Sequence, residues 1–160
     1  MTQQPTCAPY NPPPLSTLHT EPVWEGKYDE YGNRQEVEQA SHEIPVQKIY
    51  DRLGITPSQL MEFCQKWQIA ELAVFGSILR DDFRTGGNDP SDVDILYTYM
   101  PQVSYGFEFI DIKEELEALF ARKVDFVSKN AVRNSHNWLR RREILGSGRI
   151  IYAKRSTVVA

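Results

Sequence analysis

Two aspartates separated by one residue, Asp92 and Asp94, are the residues of this sequence best suited to chemistry. They stand at the head of the run VDILYTY, whose β-branched and aromatic residues predict a strand. Side chains two residues apart in a strand point to the same face, with about 6–7 Å between their Cα atoms. Carboxylates held this close repel each other unless a cation lies between them, and Mg²⁺ prefers such oxygen ligands. The pair indicates a magnesium site, although a lone Asp-x-Asp is also common at exposed strand starts.

A third carboxylate, Asp125, lies in the short run KVDFVS, which predicts another strand. Val124 and Phe126 take one face of that strand and leave Asp125 on the other. An acid between apolar neighbours in a buried strand is unusual unless it is paired or bound to a metal. If this strand lies beside VDILYTY, the three carboxylates converge. Two Mg²⁺ ions about 3.5–4 Å apart could then hold a nucleoside triphosphate and activate a nucleophile.

A Gly-Ser pair, Gly76 and Ser77, ends the apolar run ELAVF, which predicts a short buried strand. Glycine lets the backbone turn sharply and approach a ligand without interference from a Cβ atom. We expect a short helix from Ser77 to about Phe83, whose free N–H groups would bind a phosphate. The pair alone is weak support, since most Gly-Ser pairs are simple turns.

Two arginines, Arg80 and Arg84, are four residues apart on that predicted helix. They would share a face, from which both side chains could reach the phosphates of a bound nucleotide. The alternative is local ion pairing at the surface with the neighbouring Asp81 and Asp82. Of the two arginines, the sequence favours Arg80 as the nucleotide-binding residue.

Other acidic motifs fit the sequence less well. A calcium-binding EF-hand needs Gly at its sixth position and Glu at its twelfth, whereas counting from Asp92 gives Tyr97 and Val103. A phosphatase of the Asp-x-Asp-x-Thr kind needs an apolar strand before its first aspartate, but GGNDPS precedes Asp92. A glycosyltransferase that uses Asp-x-Asp needs a larger domain than this chain provides. Each motif alone also suits an ordinary loop between two strands.

The elements around these residues alternate between helices and strands. ITPSQLMEFCQKWQI predicts a helix with Thr56 as N-cap and Pro57 at its first position. RTGGNDPS predicts a loop, residues 107–122 a helix, KNAVRNSHNWLRRREIL a basic helix, and GRIIYA a last strand. The pattern predicts an α/β (α+β) fold, with helices packed on a small mixed sheet.

Composition divides the chain into three segments. Residues 1–43 are Pro-rich and then acidic, which predicts a flexible segment, although its aromatic residues could anchor it on a partner or on the domain: Tyr10, Trp24, Tyr28 and Tyr31. Ordered structure is expected from Ile44, with one domain over 44–155 and a tail over 156–160. No apolar run is long enough to span a bilayer, and the N-terminus lacks the features of a secretory signal, so we expect a cytoplasmic protein.

Charge and cysteine content argue against some kinds of partner and site. Residues 121–160 hold ten Lys/Arg and two Asp/Glu, a net charge of +8, which leaves −12 on residues 1–120. The acidic part argues against direct DNA binding, whereas the basic part could face an anionic substrate or partner. Cys7 and Cys64 indicate neither a disulfide framework nor a metal site, and the three histidines are scattered.

Together, FGSILRDDF, SDVDILYTY and KVDFVS resemble the Gly-Ser and acidic motifs of the DNA polymerase beta superfamily. The chain is most similar to its minimal nucleotidyltransferases (MNT), and the resemblance covers about Thr56 to Tyr152. It implies a polymerase-beta-like nucleotidyltransferase fold. It also implies that Gly76 and Ser77 hold the nucleotide phosphates and that the three aspartates are catalytic metal ligands.

Many minimal members of this family are MntA-like antitoxins of HEPN/MNT pairs, which transfer AMP from ATP to a tyrosine of a HEPN ribonuclease toxin. The resemblance therefore implies Mg²⁺ as cofactor, ATP as substrate and a HEPN toxin as partner, with Asp92, Asp94 and Asp125 holding the metal. A partner hydroxyl would attack the α-phosphate, and pyrophosphate would leave.

The sequence departs from the family pattern in the loop that leads to the first aspartate. Fourteen residues, Ile78 to Ser91, separate Gly-Ser from Asp92, more than is usual in the family, and Asp81 stands where many relatives have Gly. Two other functions therefore stay open. The protein could be an inactive antitoxin that masks its partner through NWLRRREIL and the N-terminal segment, or an enzyme that modifies a small molecule or an RNA end. Base preference, the number of nucleotides transferred and oligomeric state are not determined by the sequence.

Overall fold

A six-stranded mixed sheet forms the centre of the protein in a computed structural model that describes residues 26–35 and 44–154. The strands, in chain order, are β1 (Gly26–Tyr28), β2 (Arg34–Gln35), β3 (Ile69–Phe75), β4 (Val93–Tyr99), β5 (Val124–Ser128) and β6 (Arg149–Ala153). Their order across the sheet is β2-β1-β6-β3-β4-β5. Every pair is antiparallel except β4 and β5, which run parallel.

Helices cover both faces of this sheet. The helices are α1 (Val46–Leu53), α2 (Pro57–Lys66), α3 (Glu108–Phe120), α4 (Lys129–Arg133) and α5 (Trp138–Ser147). Helices α1, α2 and α3 bury their apolar sides in the larger core, together with Leu72 and Val74 of β3. Helices α4 and α5 share a smaller core with Ala73 and Leu96 on the opposite face. Alternate residues of β3 thus enter different cores, as the two-residue period of a strand requires.

The predicted start of helix α2 is confirmed. The Thr56 hydroxyl accepts a hydrogen bond from the Gln59 backbone N–H at 3.3 Å, and the Gln59 side chain accepts one from the Thr56 N–H at 2.9 Å. Pro57 follows at the first helical position, where a missing N–H has no effect on helical hydrogen bonding. This reciprocal capping contributes about 1 kcal/mol and fixes where the helix begins.

Two helix predictions are wrong in extent. The segment after Gly-Ser is a single 3₁₀ turn, Gly76–Leu79, and Arg80 is already extended. The basic segment is two helices, because residues 134–137 interrupt it and Asn137 starts α5 by accepting a hydrogen bond from the Arg140 N–H at 3.1 Å. Asn and Ser side chains bond to nearby backbone groups in this way, which favours helix ends over helix interiors.

The sheet extends upstream of the expected start at Ile44. Strands β1 and β2 form a hairpin that pairs with β6, so residues 26–35 are ordered, contrary to the prediction of a flexible segment there. Tyr28 anchors this hairpin in the smaller core with 4% of its surface exposed. The rest of the predicted flexible segment, 1–25 and 36–43, and the tail lie outside the described residues. Among the described helices, none has the length and apolar character to cross a membrane.

Candidate active site

Strand pairing brings the Gly-Ser turn to the start of β4. Phe75, the last residue of β3, lies opposite Asp94 of the antiparallel strand β4. Gly76 and Ser77 follow Phe75 directly, so the turn lies over the strand end that carries the aspartates. The proximity of these two motifs is therefore a result of the sheet register.

Gly76 could not be replaced by another residue without a change in the site. Its φ angle is +75°, in the left-handed region that L side chains rarely adopt. A Cβ atom placed on Gly76 would overlap Oδ2 of Asp94. Glycine therefore satisfies two separate requirements here, the sharp turn and the close approach of the backbone to a carboxylate.

Parallel pairing of β4 and β5 places Asp94 and Asp125 side by side. The two are direct register partners, which puts their Cα atoms about 4.8 Å apart. Asp125 is exposed, whereas Val124 and Phe126 on the other face of the same strand are buried, so it is not the buried acid that its apolar neighbours suggested. Asp92 is also exposed, on the residue before β4. Within the described parts of the chain, no three His, Cys, Asp or Glu side chains are gathered closely enough to hold a metal ion.

Negative charge is concentrated at Asp94. Burial raises the pKa of its carboxyl above the ordinary value, the charges of Asp125 and Asp92 raise it further, and the charge of Arg80 opposes them. Asp94 is thus the aspartate on which the charges of the other two act. The charge of Arg80 does not cancel this repulsion, so the net pKa shift of Asp94 is upward.

The two arginines predicted to share a helix face do not do so. Because Arg80 is extended, no helix joins it to Arg84. The Arg80 guanidinium lies 3.3 Å from the Asp82 carboxylate, and both side chains are exposed. Arg84 pairs instead with Asp89 at 3.2 Å. The alternative of local ion pairing is thus correct for Asp82, although Arg80 still lies near enough to Asp94 to lower its pKa.

Sequence reasoning missed three residues that hold the site in place. The Ser91 hydroxyl accepts a hydrogen bond from the Arg84 N–H at 2.9 Å, which joins the two sides of the loop before Asp92. Arg52 and Arg122 donate to backbone carbonyl groups of the turn and of this loop. The backbone groups that Arg52 and Arg122 bind are distant in sequence, so no motif reveals these contacts.

The class of protein follows from a family comparison. A family model described as a nucleotidyltransferase domain matches residues 58–151, which include the Gly-Ser turn and all three aspartates. The chain therefore belongs to the nucleotidyltransferase family and is an enzyme of that class. The expected α/β, polymerase-beta-like kind of fold is confirmed with it.

Three relatives make the resemblance more specific. The protein adenylyltransferase MntA of Thermococcus cleftensis is 33% identical over 81 residues, which are 51% of this chain and 77% of that protein. Two Methanocaldococcus jannaschii proteins, MJ1217 and MJ0126, named as candidate protein adenylyltransferases, are each 31% identical. The aligned residues cover 45% and 47% of this chain and 68% and 71% of those proteins. The predicted family, with MntA among its members, is thus confirmed.

One solved structure, described as a candidate minimal nucleotidyltransferase, is also similar. It matches 68% of this chain and 97% of its own chain, with a TM-score of 0.43 and 23% sequence identity.

Proposed function

We propose that this protein is a Mg²⁺-dependent adenylyltransferase that moves AMP from ATP to a hydroxyl of another protein in the cytoplasm. The observation that supports the proposal most is the close approach of Gly76 to Asp94, beside the register pair Asp94–Asp125. A backbone turn and adjacent carboxylates at one end of a sheet suit a nucleotide whose phosphates bind through metal ions.

The donor set fits Mg²⁺. Asp92, Asp94 and Asp125 provide only carboxylate oxygens, which hard divalent cations prefer. The pKa of Asp94 is raised by burial and by its two acidic neighbours, and a bound cation would relieve the repulsion. The three side chains are not gathered closely enough to hold an ion as they stand in the described structure, so the proposal requires them to draw together around the metal, with two ions in the expected arrangement. Bound there, Mg²⁺ would neutralise charge that develops on the phosphate oxygens and would lower the pKa of the incoming hydroxyl.

The chain's own groups would orient the reactants. Gly76 and Ser77 would contact the nucleotide phosphates, and Arg80 would add positive charge beside them after releasing its exposed ion pair with Asp82. The acceptor oxygen forms a bond to the α-phosphorus, and the bond to the bridging oxygen breaks, which releases pyrophosphate. Asp125, exposed at the sheet edge, would take the proton of the hydroxyl. Positioning and charge stabilisation would then account for catalysis, without a protein nucleophile.

A protein acceptor is supported by the names of the relatives, which describe transfer of adenylyl groups to proteins. The resemblance to the minimal nucleotidyltransferases makes a tyrosine of a HEPN ribonuclease toxin the expected acceptor, with this chain acting as its antitoxin. The test is to co-express the chain with a HEPN toxin and measure the intact mass of the toxin. We expect a gain of whole AMP units with wild type and none with Asp92→Asn/Asp94→Asn.

A second candidate function is binding without transfer. Helix α5 exposes Trp138 and Leu139 at 56% and 61% beside arginines 140 and 142. Trp and Arg are enriched among residues that dominate protein interfaces. In that case the Asp92→Asn/Asp94→Asn chain would still neutralise the toxin and form a stable complex, with no mass gain for either version.

A further inference from the structure

We propose that Arg52, Phe83 and Arg122, together called the arginine clamp, position the Gly-Ser turn and the loop before Asp92 for nucleotide binding. The inference rests on the proposed function of this site. All three residues lie outside the residues that would contact the nucleotide or the metal. They would act as positioning residues, through the backbone that carries the site.

Arg52 holds the end of the Gly-Ser turn. It lies in the last turn of α1, and its Nη1 donates hydrogen bonds to the carbonyl oxygens of Ile78 and Arg80, both at 2.6 Å. The 3₁₀ turn makes its own bond from the Arg80 N–H to the Ser77 carbonyl at 2.9 Å, and the chain then becomes extended. Arg52 therefore joins α1 to the point where the turn ends.

Arg122 holds the other end of the same connection. Its Nη1 donates to the carbonyl oxygens of Arg84 and Ser91, each at 3.2 Å, and its Nη2 donates to Thr85 at 2.9 Å. It stands two residues before β5, the strand of Asp125. One side chain thus ties the loop before Asp92 to the backbone that leads to the third aspartate.

Phe83 connects the two arginines. Its side chain is buried, and the guanidinium carbons of Arg52 and Arg122 lie 5.7 Å and 4.8 Å from its ring centroid. A guanidinium can stack on an aromatic ring while its N–H groups bind several acceptors, whereas the ammonium of Lys is a point charge. The clamp therefore depends on Arg and not merely on positive charge.

The clamp accounts for how a long loop can lead into a well-placed site. Fourteen residues separate Ser77 from Asp92, and although the sheet register holds Phe75 opposite Asp94, it does not hold the backbone between Ser77 and Asp92. Five hydrogen bonds from two side chains hold the backbone at Ile78, Arg80, Arg84, Thr85 and Ser91. The loop is thereby anchored at both ends, and only its Gly-rich tip extends beyond the anchors.

The test combines hydrogen exchange with nucleotide binding in the full-length chain. The variants are Arg52→Gln, Arg122→Gln, Arg122→Lys and Phe83→Leu, with Arg133→Gln, at an exposed arginine of α4, as the control that removes the same charge elsewhere. In the two Gln variants we expect amides of residues 77–80 and 84–92 to exchange on the order of tenfold faster, as the loss of a charge-assisted hydrogen bond predicts. Affinity for mant-ATP with Mg²⁺ should fall about tenfold, because the turn is no longer held in place.

Three comparisons decide the outcome. Arg122→Lys should recover only part of the affinity, and full recovery would show that charge alone matters and would overturn the clamp. Unchanged amide exchange in the Gln variants would also overturn the clamp. So would exchange that accelerates equally in β6 and α5, because the arginines would then stabilise the whole fold and not the turn. Local loss of protection with unchanged mant-ATP affinity would rule out positioning. If wild type binds no mant-ATP with Mg²⁺, the proposed function fails, and the exchange data alone decide whether the clamp orders the turn.

Discussion

Two carboxylates on the same face of the sheet have opposite surroundings. Glu71 and Asp94 lie at opposite ends of the β3–β4 pair, since Glu71 is opposite Thr98 whereas Asp94 is opposite Phe75, about 13 Å along the strands. Glu71 accepts hydrogen bonds from Tyr28, Arg34 and Lys129, the last at 2.8 Å. Asp94 has two other aspartates and a glycine turn as neighbours.

The pKa values of the two groups express this difference. Burial alone would raise the pKa of Glu71, but hydrogen bonds from Lys129 and Tyr28 and the charges of Lys129 and Arg34 outweigh it, so its pKa is lowered. The pKa of Asp94 is raised by burial and by Asp125 and Asp92. The charge of Glu71 is therefore compensated, and its hydrogen bonds join the N-terminal hairpin and α4 to β3. The charge of Arg80 compensates Asp94 only in part, in agreement with the proposed role of Asp94 as a metal ligand.

The largest effect is expected from Asp94→Asn. Removal of one carboxylate at the proposed metal site should reduce transfer of AMP to the partner on the order of 10³-fold, because a bound metal contributes several kcal/mol to the reaction. The same variant should be as stable as wild type at neutral pH or more stable, since a repelled charge is lost. Intact-mass kinetics on the partner and chemical denaturation measure the two effects. Glu114→Gln, an exposed acid of α3, is the control, and substantial Mg²⁺-dependent transfer by Asp94→Asn would contradict the assignment.

Glu71→Gln should have the reverse effect. It leaves Lys129, whose side chain is 10% exposed, without its carboxylate, and such a loss costs about 3 kcal/mol of unfolding free energy. Transfer by the folded fraction should not change. Denaturant unfolding provides the measurement, with Asp89→Asn as control, because the pair Arg84–Asp89 is exposed and contributes less than about 1 kcal/mol. Equal unfolding free energies of Glu71→Gln and Asp89→Asn would show that the buried ion pair of Glu71 with Lys129 does not stabilise the fold.

Gly76→Ala separates backbone strain from contact with Asp94. Gly54 provides the matched control, because its φ is +70° and a Cβ there would meet nothing within 4 Å. Both substitutions should cost about 1 kcal/mol for the left-handed backbone. Gly76→Ala should cost about 2 kcal/mol more, since overlap with the carboxylate forces a shift. In an Asp94→Ala background this additional cost should disappear, and its persistence in denaturation curves would mean that another contact is responsible.

The sequence revealed the parts of this molecule whose causes are local. The capping residues Thr56 and Gln59 and the strand around Asp94 follow from short-range patterns, and strand order then brings Asp125 beside Asp94. Two sets of contacts between residues distant in sequence, those of Glu71 and those of Arg52 and Arg122, could not be predicted. Glu71 gains its partners from the hairpin and from α4, 37 to 58 residues away in sequence, and Arg52 and Arg122 bind backbone carbonyls, which any residue type provides.

The last and smallest effect is a difference in pH dependence, measured by denaturation of metal-free protein with a chelator present. A raised pKa means that folded Asp94 binds more protons than the unfolded chain between the two pKa values, so wild-type stability falls as pH rises through that window. The stability advantage of Asp94→Asn should therefore grow with pH there and vanish in acid. For Glu71 the folded pKa is lowered, so the wild-type advantage over Glu71→Gln is present above the unfolded pKa and is lost as pH falls through the folded pKa. The two difference curves should thus have opposite signs at neutral pH and converge in acid. If the two difference curves changed with pH in the same direction, the contrast between the two carboxylates would be wrong, because the pH dependence of each curve follows the direction of one pKa shift.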